Sequence, residues 1–157
     1  MDPVDSSAAV VATEPRFAGF AAAAANEHSQ FGEDGIIAAI FSEIGERNRW
    51  CFEVGAHDGV YLSNTKRLRD VGWSAVLIEH HQPHFQELNK LSSDRVHCVH
   101  QKIRTGDLDR ILASCCAPKD MDFGSIDIDS DDYFVWQAMQ EYAPRVMCVE
   151  FRNGDPD

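Results

Sequence analysis

The chain has no apolar run approaching the roughly 20 residues that a membrane-spanning helix needs, no CxxC pair and few basic residues, 14 Lys and Arg against 26 Asp and Glu. The first absence excludes a helical membrane span. The charge balance, a formal net −12, repels nucleic-acid backbones and anionic lipid over long range. Neither nucleic acid nor a membrane is therefore expected as a partner. A secretory leader needs a basic start and then an apolar stretch, whereas the chain opens MDPVDSSAAVVATEPRF with Asp2, Asp5 and Glu14; a cytoplasmic setting is the expectation. The five cysteines form an odd set, and Cys51, Cys98 and Cys148 fall in apolar strand-like runs where Cys packs as a small hydrophobe. Reduced core thiols are expected there, with Cys115 and Cys116 in a loop.

What is present reads as a globular domain: 157 residues, 44% hydrophobic and 25% charged, enough for one core. Residues 1–26, rich in Ala and acids, read as a loosely held tail, and 27–157 as the domain. Ile36, Ile37, Ile40, Phe41 and Ile44 recur at helical spacing before a stop at Gly45. Strands and helices then alternate. WCFEV (50–54), WSAVLIE (73–79), VHCV (96–99), FGSIDI (123–128) and RVMCVEF (145–151) read as buried strands. Between them lie helices at LSNTKRLRDVG, capped by Ser63 or Asn64, after Pro83, at DLDRIL, and at DDYFVWQAMQEY. This alternation predicts an α/β fold, a Rossmann-like doubly wound, mostly parallel sheet with helices on both faces, whose ligand site lies at the carboxyl ends of the strands.

The first strand delivers Glu53, Gly55, Ala56, His57, Asp58 and Gly59 into such an end. The glycines give conformational freedom and close approach. The spacing is E-x-G-x-x-x-G, so neither GxxxxGK[ST] nor GxGxxG is met; His57 takes the third position of the latter. A turn flanked by Glu53 and Asp58 suits a ligand with positive charge and no phosphates, a description that fits S-adenosylmethionine. The second strand ends in Glu79, where a carboxylate can take both ribose hydroxyls of a nucleoside. Glu53 also admits a structural reading, as a helix cap or the partner of a base.

The segments SQFGEDGIIAAIF, FEVGAHDGVYLSNTKRL, GWSAVLIE, GSIDIDSDDYFVW and RVMCVEF resemble, in order and spacing, the FkbM-type class I S-adenosylmethionine-dependent methyltransferases, over about residues 29–151. The resemblance implies that Glu53, Gly55, His57, Asp58 and Gly59 line the methionine end of the cofactor and that Glu79 holds the ribose. It also places Gln30, with Ser29, Asn64 and His80 at the cofactor, and Asp127 at the reactive centre. Ser29 and Gln30 equally admit a helix-capping role. The expected activity is O-methylation of a hydroxyl on a sugar or small metabolite. Asp127, Asp129 and His57 are the candidate catalytic residues, and His80 is a further candidate base. Relatives continue through further strands beyond the fifth, so a short domain with an open sheet edge, and a homodimer through that edge, are expectations too. Ser130 replaces a glycine common in the family.

DIDSDD (127–132) fails the calcium-loop pattern, with Asp132 in place of Gly and Ala138 in place of the bidentate Glu. A divalent ion on Asp127, Asp129 and Glu150, or a polar rim with a helix cap from Asp131, both fit the residues; the rim is the simpler, and no metal is assigned. HHQPH (80–84) has no distant Cys/His set to complete a zinc site. Two other classes compete with the enzyme: a catalytically incomplete nucleoside-binding or scaffold protein working through a partner chain, and a nicotinamide-dependent oxidoreductase, against which the missing GxGxxG counts.

Overall fold

The computed structural model describes residues 18–129 and 131–150. Five strands, β1 (Trp50–Val54), β2 (Ser74–Glu79), β3 (Val96–His100), β4 (Phe123–Ile126) and β5 (Val146–Val149), form one sheet in the order β3-β2-β1-β4-β5. Every neighbouring pair is parallel. The fold is the expected Rossmann-like α/β arrangement, and β3 and β5 are its edges among the described residues.

Pleating sorts the strand side chains into two cores. Phe52, Val54, Val76, Ile78 and Ile126 pack with Leu108, Ile111 and Leu112 of α5 (Leu108–Ser114) and Val135 of α6 (Asp132–Gln137). Cys51, Ala75, Leu77 and Phe123 face the other way. They meet Ile37 and Phe41 of α2 (Glu33–Ile44), Leu68 of α3 (Lys66–Asp70) and Leu88 of α4 (Gln82–Leu88). The period of two in the strands thus explains why both faces carry helices.

Several boundaries differ from the sequence reading. A short helix α1 (Ala18–Ala21) precedes α2, and the Ala25 N–H reaches Gly32 O at 3.2 Å while Ala25 O accepts from Gly35 N–H at 3.0 Å. Organised chain therefore begins within the segment read as tail, whose first 17 residues lie outside the described ones. Helix α3 starts at Lys66 behind Thr65, so neither Ser63 nor Asn64 caps it; both are held by Glu53 instead. The Asp131 side chain makes no cap to α6, and Asp132, the first residue of that helix, ties back the preceding loop instead: its Oδ1 accepts the Ile128 N–H at 2.7 Å. All five cysteines are free thiols, and burial raises those of Cys51, Cys98, Cys115 and Cys148 above the ordinary value. No helix among the described residues is long and apolar enough to cross a membrane.

The amino end of the sheet is locked by Asp122, which has no solvent access. Its Oδ2 accepts the backbone N–H groups of Arg47, Asn48 and Arg49 at 2.8, 3.0 and 2.8 Å. Its Oδ1 pairs with Arg145 at 2.7 Å, whose guanidinium also donates to Gly45 O and Ile44 O. Burial alone would raise this carboxyl, but the Arg145 charge and the three N–H groups outweigh it and hold it below the usual range. Removing one partner of a buried ion pair strands the other, so Asp122→Ala is expected to cost about 3–5 kcal/mol in urea unfolding. The folded pKa lies below the unfolded one, so the stability due to Asp122 is complete above about pH 4. It is lost as pH falls through the folded value, a dependence the variant removes.

Candidate functional site

In the order β3-β2-β1-β4-β5 the chain reverses direction of winding between β1 and β4, where α3 and α6 leave on opposite faces. The loops after β1 and β4 diverge there and open a cleft of about 590 Å³. Gly55 forms its base with φ +81°. A Cβ on that residue would stand 1.7 Å from the Asp127 carbonyl oxygen. The glycine is thus demanded by the neighbouring strand's backbone, as well as by any ligand above it.

Glu79, buried at the end of β2, joins two loops. Its Oε2 accepts the His57 N–H at 2.9 Å and its Oε1 the His81 N–H at 2.6 Å, while His80 Nδ1 lies 3.4 Å from Oε1. Asp58 turns the β1 loop by accepting the Val60 and Tyr61 N–H groups, each at 2.8 Å on Oδ1. Partial burial raises the Asp58 carboxyl, but those two N–H groups and the nearby His57 bring it below the usual value. Above the loop the imidazoles cluster, His57 tilted against His84 with centroids 3.5 Å apart and His81 edge-on to His84 at 4.3 Å, with Tyr61 5.4 Å from His57. Desolvation and then its two imidazole neighbours lower the pKa of His84.

Across the cleft, Asp127 reaches solvent beside Asp129 and Glu150, and one carboxylate oxygen of each lies within 4.8 Å of the others. That spacing suits a divalent cation and equally a hydrogen-bonding rim. Surrounding protein desolvates Asp127, and the charges of Glu150, Asp129 and Asp132 add to this, raising its carboxyl to about 6.

Gln30, Gly55, His57, Glu79, His80, Asp127 and Asp129 all line the cleft, as do Glu150 and Phe31. Five of the expected cofactor residues, Ser29, Glu53, Asp58, Gly59 and Asn64, do not line it. Glu53 is buried on the α2 and α3 side, and its carboxylate is occupied by Ser63 Oγ, Thr65 Oγ1 and the Asn64 N–H, each at 2.7 Å. Burial raises its carboxyl against those bonds and the Arg69 charge. Gly59 makes room for Leu88 and Leu91, whose Cδ1 atoms would lie 2.8 and 2.7 Å from an added Cβ. The Asn64 amide donates to Ser125 Oγ at 3.0 Å and faces a smaller cavity on the β5 side. Asp58 shapes the loop through its N–H contacts. Ser29 has the capping role: its Oγ accepts the Asp34 N–H at 3.0 Å while Asp34 Oδ2 accepts the Ser29 N–H at 2.8 Å. Phe31, Tyr61, His81 and His84 were not anticipated, although Pro83 at the start of α4 fixes the phase that brings His81 and His84 to the same wall.

No family model, curated protein or solved structure matches the chain.

The cleft wall itself restricts the ligand. Among the described residues it presents four carboxylates, Glu79, Asp127, Asp129 and Glu150, together with four imidazoles and no lysine or arginine. A phosphate would meet repulsion there, whereas a cation or a polyol would find acceptors.

Two measurements test this geometry. Gly55→Ala is expected to lower stability by roughly 2 kcal/mol or more, since strain and overlap must both be relieved, with the loss read by thermal unfolding. Asp127 binds its proton more tightly folded than unfolded, so its ionisation lowers stability as pH rises from about 4 to about 6. Asp127→Asn should flatten that decline in urea midpoints measured across the window.

Proposed function

We propose that the chain is an S-adenosylmethionine-dependent methyltransferase that methylates a hydroxyl of a sugar or small metabolite in the cytoplasm. The observation that carries the reading is Glu79. It ends the strand beside the winding reversal, lines the cleft, and is held by two backbone N–H groups that leave acceptor capacity on both oxygens. A carboxylate so placed suits a ribose diol. The resemblance of VGAHDGVYLSNT and SIDIDSDDYFVW to FkbM-type methyltransferases points the same way.

The residues fit the group. Acidic walls with no Lys or Arg among the described residues complement a sulfonium and an ammonium and offer little to a pyrophosphate, which disfavours a nicotinamide dinucleotide. Glu79, His80, Gln30 and the His57 turn would hold it. When bound, S-adenosylmethionine supplies a methyl group on positively charged sulfur for direct displacement by an acceptor oxygen. Most of the rate of such a displacement comes from holding the two reactants in line, which falls to the loops pinned by Glu53 and Glu79. Asp127, with a carboxyl near 6, is suited to take the hydroxyl proton near neutral pH, with Asp129 and His57 at hand to orient the acceptor.

One feature favours the second reading, a scaffold or homodimer acting through the sheet edge. Among the described residues β5 pairs on one side only, and the groove beside it, about 670 Å³, is lined by Trp136, Met139, Tyr142 and Met147.

Calorimetric titration of S-adenosylhomocysteine and of NAD into the purified chain separates the readings. Binding of S-adenosylhomocysteine alone is expected, weakened tenfold or more in Glu79→Gln, since a charge-assisted hydrogen bond is worth roughly 1.5–3 kcal/mol. A folded chain that binds neither overturns the enzyme reading.

A further inference from the structure

A second cavity of about 240 Å³ adjoins the cleft on the β5 side. The two share Gln30, Phe31, Leu62, Asp127 and Glu150, so they adjoin along one wall that carries the Asp127 and Glu150 carboxylates. Past that junction the wall is Glu33, Asn64, Cys148, Val149 and Ile126. None of the nucleoside-side residues, Glu79 and the histidines, reaches it.

This smaller chamber has a distinct chemistry. Glu33, Asp127 and Glu150 supply three carboxylates, and no lysine or arginine among the described residues lines it. Asn64 is a fixed polar wall, its amide anchored on Ser125 Oγ at 3.0 Å and on Cys148 Sγ at 3.7 Å, and its N–H on Glu53. Glu33 is held too, by the Phe31 N–H at 2.7 Å. The Cys148 thiol reports the local potential: burial first, then the charges of Glu33, Glu53 and Asp127, push it up to about 11. Phe31, Leu62, Ile126 and Val149 supply the apolar remainder. The volume is below the roughly 300 Å³ at which pockets for drug-sized ligands begin, so the occupant is small.

We infer that this chamber receives the methyl acceptor and selects a small amine-bearing polyol, such as an amino sugar, over phosphorylated or carboxylated counterparts. The inference rests on the methyltransferase reading for the occupant of the larger chamber. Its selectivity follows from charge: an ammonium entering beside three carboxylates is attracted, whereas a phosphate meets like charge with no basic group among the described lining residues to receive it. An uncharged sugar keeps the Asn64 and carboxylate hydrogen bonds and lacks the attraction.

The test is a titration of the ¹⁵N-labelled chain, saturated with S-adenosylhomocysteine, by glucosamine, glucose and glucosamine 6-phosphate. Glucosamine is expected to shift the Asn64, Cys148 and Glu150 amides. It should bind more tightly than glucose and at least tenfold more tightly than glucosamine 6-phosphate. Glu33→Gln, which keeps the acceptor for the Phe31 N–H, should weaken glucosamine about threefold or more and leave S-adenosylhomocysteine affinity unchanged, because Glu33 does not line the larger chamber. Equal or tighter binding of the phosphate overturns the inference, as does glucosamine that leaves those amides unmoved. Should S-adenosylhomocysteine fail to bind, the methyltransferase reading falls by itself. The three sugars titrated alone then still decide whether the chamber prefers an amine.

Discussion

The Asp122 carboxylate is the contact on which the rest of the sheet depends. Three consecutive N–H groups ahead of β1, the guanidinium at the start of β5, and through it the last carbonyls of α2, all converge on one residue at the start of β4. Each of these donors would otherwise be an unsatisfied polar group close to the core. With the amino ends of three strands fixed, their carboxyl ends emerge at set heights. Gly55 then meets the Asp127 carbonyl, and the β1 and β4 loops part above that contact. The clamped end of the sheet thus sets the geometry of the end that carries the cleft.

The two ends differ in how their acids are compensated. Asp122 is matched donor for donor and sits below the usual carboxylate pKa; Asp127 is surrounded by other acids and sits at about 6. An arrangement that stores like charge at one end is tolerable because the other end does not. Glu53 and Glu79 divide along a similar line. Glu53, inside β1, spends its oxygens on the Ser63–Thr65 turn and so positions Asn64 over β4 and β5. Glu79, the last residue of β2, spends its own on two N–H groups and still borders the cleft.

Short apolar runs between turn residues made the five strands legible, and the alternation with helices made the parallel sheet legible. Most of the cleft was legible as well, because residues at strand ends in such sheets share one edge: Gly55, His57, Glu79, Asp127 and Asp129 meet there. What a strand end does not reveal is which loop folds back over it. Glu53 read as a ligand contact because nothing in the local sequence shows that Ser63, Asn64 and Thr65 return to cover it. The Asp122 clamp was invisible for the same reason, its donors lying 73 to 75 residues earlier and 23 later. The Asp131 cap expected for α6 does not form, and the Asp132 carboxylate turns to the Ile128 N–H of the loop, a contact with no local signature. Imidazole contact at His57 and His84 joins two loops and leaves no local pattern.

Asp127 belongs to both chambers, and this couples them. Its backbone is fixed by the N–H bond to Val54 O at 3.0 Å and by contact with Gly55, so its carboxylate has little freedom to serve one side at the expense of the other. With a pKa of about 6, a fraction of the molecules carries a proton there under mildly acidic conditions. A cation entering either chamber favours the ionised form, and the ionised form in turn attracts a cation on the other side; linkage makes the effect reciprocal. Two cations drawn to a shared carboxylate also repel each other directly, so the proton release must outweigh that repulsion for binding to be cooperative. The balance depends on Glu150 and Asp129, which both raise the Asp127 pKa and add their own attraction. The same three acids that make the empty cleft costly are therefore what gives a cationic pair its common anchor.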